Sequence, residues 1–159
     1  MTKALRERIQ SLHHSRCGYC GASEIGTGGA LTIDHFRPQS RGGNDEEDNL
    51  VWCCHACNEF KGDFWSDDEE QRLIHPRNED LSLFLREGDD GVLLSLEPRG
   101  QNQVARLRLN RPQAIARRLQ ERRQVRLAHE FEALLSRLEA AEERAHLLEL
   151  ALDEKRRAT

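Results

Sequence analysis

The stretch 31–62 reads LTIDHFRPQSRGGNDEEDNLVWCCHACNEFKG, and it decides the fold. Residues 30–34 alternate apolar and polar and predict a strand ending at Asp34. Residues 37–49 are polar, hold Pro38 and the Gly42-Gly43 pair, and predict a loop. Leu50-Val51-Trp52-Cys53 predicts a second short strand, and a helix follows over 55–65. The order is strand, loop, strand, helix.

Upstream, residues 3–14 place Leu5, Ile9 and Leu12 at helical spacing. Cys17-x-x-Cys20 then precedes the module, and Cys54-x-x-Cys57 closes it after 33 intervening residues. Two such pairs, with no secretory signal at the start of the chain, fit a tetrahedral zinc site. Four thiolates leave no open position, so the zinc would be structural. Two disulfides or a redox pair are the alternatives; the first fits poorly with a reducing compartment, and the second needs no duplicate. Cys53 is expected to be a small buried apolar residue.

Downstream, 66–80 is an acidic irregular connection. Residues 81–86 and 92–98 predict a hairpin around Glu87-Gly88-Asp89-Asp90-Gly91. Asn110-Arg111-Pro112 predicts a helix start, with Asn as the cap and Pro in the first turn, and nothing breaks that helix before about residue 156. Leu127, Phe131, Leu134, Leu138, Ala141, Ala145, Leu148 and Leu152 follow heptad spacing. This stripe must be covered by the same chain, a second copy, or a different protein.

The 159 residues carry a net charge of −4, with 37% hydrophobic and 5% aromatic residues, which is lean for a large core. No run approaches the ~20 apolar residues that cross a bilayer, so a membrane protein is excluded and a cytoplasmic location is expected. Residues 106–126 hold eight arginines against the single acid Glu121. That local +7 leaves −11 elsewhere, so the charge distribution permits nucleic-acid binding although the total does not suggest it. Arg117, Arg118 and Arg122 are candidate phosphate contacts from this helix; a solvated basic face, or one paired with the acidic segments 44–48 and 67–70, is the alternative.

Asp34 and His35 are adjacent at a strand end, so their side chains point apart and take different roles. Asn58 opens the following helix. A carboxylate from a strand and an amide oxygen from a facing helix suit one hard cation, Mg²⁺ or Mn²⁺, together with waters and a phosphate. An imidazole, with an unperturbed pKa near 6.5, can take a proton from water beside that ion. Together these amount to phosphodiester hydrolysis. Capping or a salt bridge for Asp34, a structural histidine and a backbone-bonded amide are the plain alternatives for the three residues. Arg37 and Arg41 could meet phosphates from the loop.

The string DHFRPQSRGG…DNLVWCCHACNEFKGD, with the first knuckle, closely resembles the HNH endonucleases, the ββα-metal nucleases, over residues 17–62. It is most similar to the branch with a four-cysteine zinc and a final asparagine. The resemblance implies that Asp34 and Asn58 hold the catalytic metal, that His35 is the general base, and that Asn49 pins the loop and orients the histidine. It implies a phosphate-facing or helix-stabilising role for Lys61; an ordinary solvated lysine is the alternative. It further implies a DNA substrate met through the minor groove. The stretch from His75-Pro76 to Asn110-Arg111-Pro112 also resembles small bacterial HNH proteins of anti-phage defence, which act with an ATPase partner.

The expected architecture is therefore α+β. A zinc-stapled, treble-clef-like ββα-metal nuclease module occupies 1–66, a connection and β-hairpin 67–110, and an arginine-rich, heptad-patterned helical arm 111–157. A metal-dependent DNA endonuclease is the expected function. The competing reading is a non-catalytic zinc module that binds nucleic acid or protein through the arm. A homodimer or a partner protein such as an ATPase is expected at the 127–152 seam.

Overall fold

The computed structural model describes residues 2–157. The fold is α+β, with two small two-stranded sheets and a long C-terminal helix. Contacts divide the chain into two compact units, Met1–Leu119 and Gln120–Thr159. The sequence-derived boundaries at 66 and 110 both fall inside the first unit.

Within the first unit, helix α1 (Lys3–Leu12) is capped by the Thr2 hydroxyl, which accepts from the Leu5 amide, and it buries Ile9. A one-turn helix α2 (Glu24–Thr27), capped by Ser23 and closed by left-handed Gly28, occupies the glycine-rich stretch. Strand β1 (Thr32–His35) pairs antiparallel with β2 (Leu50–Cys53), setting Thr32 against Cys53 and His35 against Leu50. All four residues of β2 are buried. This explains why Leu-Val-Trp-Cys shows no alternation: both faces of the strand are covered. Cys53 is wholly buried, as its small apolar character predicts. Helix α3 (His55–Lys61) follows directly and ends at Gly62, whose φ is 55°.

The second sheet is shorter than the sequence suggests. Its strands are β3 (Leu85–Glu87) and β4 (Leu93–Ser95), and Leu81–Leu83 form a 3-10 turn. The strand read through to 98 stops early because Glu97-Pro98 begins a helix, α4 (Pro98–Arg106), with proline in its first turn. Gly100 makes this possible: a Cβ there would lie 2.3 Å from the Phe84 carbonyl oxygen. Helix α4 in turn holds the 66–80 connection. Gln103, fully buried, accepts from the Ile74 amide at 3.1 Å, and Arg99 forks onto Glu79 at 2.7 and 3.1 Å.

Helix α5 (Pro112–Arg157) carries its residues up to Leu119 in the first unit. In the second unit the apolar seam is exposed: Leu127 at 50%, Phe131 at 63% and Leu148 at 66%. Among the described residues, no helix is long and apolar enough to cross a membrane.

Candidate active site and metal centre

The two knuckles bring Cys17, Cys20, Cys54 and Cys57 together, with all four sulfurs within 4.8 Å of one another. Tetrahedral zinc with Zn–S bonds of about 2.3 Å requires sulfurs about 3.8 Å apart. The Cys20 and Cys54 sulfurs are 3.8 Å apart. The donor set and its spacing therefore fit structural zinc. Hydrogen bonding among the four sulfurs splits the cluster: it drives the Cys54 thiol toward ionisation and lowers Cys20 to about 7, while it pushes Cys17 and Cys57 up. Arg111 stands beside this cluster. Burial would lower its pKa, but the Cys57, Cys20 and Cys54 sulfurs raise it on balance, so its charge offsets theirs. Arg117 donates from Nη2 to the Cys20 carbonyl at 2.6 Å.

The sheet and α3 form an open cleft of about 300 Å³ lined by Asp34, His35, Gln39, Asn58 and Asp63, among others. The structure thus brings Asp34, His35 and Asn58 to one cavity. A larger cavity of about 490 Å³, beside His55, Phe60 and Arg111, contains no carboxylate among its lining residues.

Asp34 is buried and accepts from the Tyr19 hydroxyl on Oδ2 at 2.6 Å. Lys61 Nζ lies 3.1 Å from Oδ1 and 3.0 Å from Oδ2. Burial pushes the Asp34 carboxyl pKa up; the Lys61 ammonium and the Tyr19 hydroxyl pull it partly back. A carboxylate has about four lone-pair sites, so these donors leave capacity for a cation. The Asn58 side-chain amide makes no hydrogen bond to the described residues, which leaves its oxygen available. This donor pair fits Mg²⁺ or Mn²⁺, which take few protein oxygens and keep several waters.

His35 presents its Nε2 to Asp45 Oδ1 at 2.7 Å, and Gln39 donates to the same oxygen at 2.9 Å. The His35 hydrogen bond is the main cause holding the Asp45 carboxyl below its usual value. Asn49 ties down the intervening loop. Its Oδ1 accepts from the Arg37 amide at 2.8 Å, and its Nδ2 donates to the Arg37 and Asn44 carbonyls at 3.0 and 2.8 Å. Gly43 is required beside this tie, since a Cβ would fall 1.8 Å from the Arg37 carbonyl oxygen. Arg37 and Arg41 are exposed; Arg37 donates to the Arg41 carbonyl and lies over the Trp65 ring at 5.3 Å.

Two of the expected phosphate contacts are corrected. Lys61 is fully buried, neither solvated nor phosphate-facing: besides Asp34 it donates to the His35 carbonyl at 2.7 Å. A buried ammonium needs such partners, and these two join helix to strand. Arg118 is also buried, bonded to the Gly91 and Leu109 carbonyls at 2.6 and 3.0 Å and to Asn110. It joins α5 to the turn of the second hairpin. Arg122 is exposed, on the second unit.

Sequence reasoning missed Tyr19 and Asp45 as site residues. Tyr19 sits between the first two thiolates, and its position inside a zinc turn was the available signal. Asp45 was hidden in the acidic run 44–48, where nothing local separates the carboxylate facing His35 from its neighbours.

The family model of the HNH endonuclease matches residues 17–64. The matched span holds the four-cysteine cluster, which is consistent with the zinc-containing branch of that family. No curated protein and no solved structure matches the chain.

Proposed function

We propose that the chain is a metal-dependent endonuclease that hydrolyses DNA phosphodiester bonds in the cleft of Asp34, His35 and Asn58. The observation that carries this reading is their convergence on one open cavity. There a braced carboxylate, an oriented imidazole and an unengaged amide oxygen lie together.

Asp34 and Asn58 are the residues that would hold Mg²⁺ or Mn²⁺, whose charge, when bound, stabilises the departing oxygen. With Nε2–H donated to Asp45, the other ring nitrogen of His35, Nδ1, has its lone pair free. It takes the proton from a water as that oxygen attacks phosphorus and the bond to the leaving oxygen breaks. The leaving oxygen is protonated from solvent. Asp45 and Gln39 set the imidazole, and Asn49 holds the loop that carries both of them. Tyr19 and Lys61 keep the Asp34 carboxylate ionised and aimed. Arg37 and Arg41 supply backbone-phosphate attraction, which carries no sequence information and weakens with salt.

The test is cleavage of supercoiled plasmid by the Asn58→Ala variant. The Asn58 side chain makes no hydrogen bond to the described residues and alanine keeps its backbone bonds to Cys54 and Gly62, so the variant should keep its zinc and fold and lose metal-dependent nicking. A folded variant that nicks as fast as the unaltered chain would overturn the ligand assignment. If the unaltered chain binds DNA yet cuts none with either metal, the non-catalytic binding module is the correct reading.

A further inference from the structure

The exposed seam of the second unit runs through Leu127, Phe131, Leu134, Leu138, Leu148 and Leu152, with Ala141 and Ala145 completing the heptads. Such a stripe calls for a covering helix. The charges flanking it say which one. Arg137 and Arg144 each stand one residue before a core position, at 138 and 145; Glu142 and Glu149 each stand one residue after, at 141 and 148. All four are exposed.

These arginines have no acid on their own helix at the spacings where side chains meet, three and four residues away. Those places hold Ala133, Leu134, Ala140 and Ala141 for Arg137, and Ala140, Ala141, Leu147 and Leu148 for Arg144. Elsewhere the same helix does pair its charges locally, as Arg126 with Glu130 at 4.0 Å. The flanking charges at 137 and 144 are therefore set for a neighbouring helix.

We propose that the 127–152 seam docks against a second copy of this chain as a parallel, in-register, two-stranded coiled coil. In that arrangement each flanking residue before a core position meets the partner's flanking residue five positions on. Arg137 then faces Glu142 of the other copy and Arg144 faces Glu149; two-fold symmetry doubles both, giving four opposite-charge pairs. In the antiparallel alternative that stacks the same core, Arg137 lies against Arg144 twice. Like charges so placed are unfavourable, so the flanks select the parallel form. The proposal does not depend on the nuclease reading.

The test is sedimentation equilibrium of the full chain, with helicity followed by circular dichroism. The unaltered chain should show twice the mass of one chain, dissociating on dilution. Arg137→Glu, a surface change that leaves the fold intact, should weaken the dimer roughly tenfold, since two attractive pairs become repulsive. Adding Glu142→Arg to that variant should restore the affinity. Tighter association in Arg137→Glu would show the antiparallel form and overturn the proposal. A single-chain mass at all concentrations, including the case where only a different protein binds the seam, or an assembly larger than two, would overturn it as well.

Discussion

Replacing Lys61 by methionine keeps the apolar stem and removes the ammonium that Asp34 faces. Lys61 is 0% and Asp34 7% exposed, so solvent screens the pair little. Breaking a buried pair by removing one partner costs about 3–5 kcal/mol. A second route sets a ceiling: the stranded carboxylate can take up a proton. From an ordinary value of 3.8 to pH 7 that costs at most about 4 kcal/mol, at 1.36 kcal/mol per unit. Asp34 already lies above that ordinary value through burial, so the ceiling is an upper bound. The sign follows. Losing Lys61 raises the folded-state pKa further, so the destabilisation is largest at neutral pH and shrinks on acidification, to at most about 2 kcal/mol at pH 5. Urea denaturation of zinc-loaded protein, read by the tryptophan emission of buried Trp52 and half-buried Trp65 together, measures it. A loss below about 1 kcal/mol at pH 7, or one that does not change between pH 7 and 5, would refute the reasoning that Lys61 neutralises Asp34.

Acid should also weaken the fold through His13. Burial first, then the charge of Arg77, lowers its pKa from 6.5 to about 4. The unfolded chain therefore binds the extra proton between those values, and stability falls as pH drops through the window, by up to about 3 kcal/mol. His75, lowered chiefly by burial, acts in the same direction. His13→Gln should flatten the pH dependence measured by thermal melts with zinc content held constant; an unchanged slope would exclude His13 as a source. Removing zinc with a chelator, or by Cys57→Ser, should unfold the first unit, because structural zinc in small modules supplies about 10 kcal/mol or more of folding free energy. Trp52 emission should shift to the red. Retention of the buried-Trp52 spectrum in metal-free protein would contradict a structural role for the site.

What was legible in the sequence was local. Each knuckle is a C-x-x-C pair, Asp34-His35 is a dipeptide and Asn58 directly follows Cys57, so each could be read as a short motif; the structure places Asp34, His35 and Asn58 on one cleft. What escaped depended on partners far along the chain. Lys61 looks like an ordinary last-turn helix lysine until Asp34, 27 residues earlier, is placed against it. Arg118 looked like part of a basic face, but its partners are carbonyls 9 and 27 residues away. Helix α4 was obscured by the apolar run 92–96, whose alternation continues the strand signal up to the proline that starts the helix. The long helix shows the converse. Its heptad seam was plain in the sequence, and its exposure is a tertiary fact that periodicity cannot supply.

The central claim is tested most directly by comparing the unaltered chain with His35→Ala on supercoiled plasmid. Zinc content is measured in both, with and without added Mg²⁺ or Mn²⁺. His35 is half-buried at the edge of the cleft, and its loss should leave the zinc fold in place. The account predicts metal-dependent nicking by the unaltered chain and a loss of at least about a hundredfold in the zinc-loaded variant, the scale of general-base catalysis. Equal nicking by both would contradict the assignment of His35 as the base and, with it, the hydrolytic site.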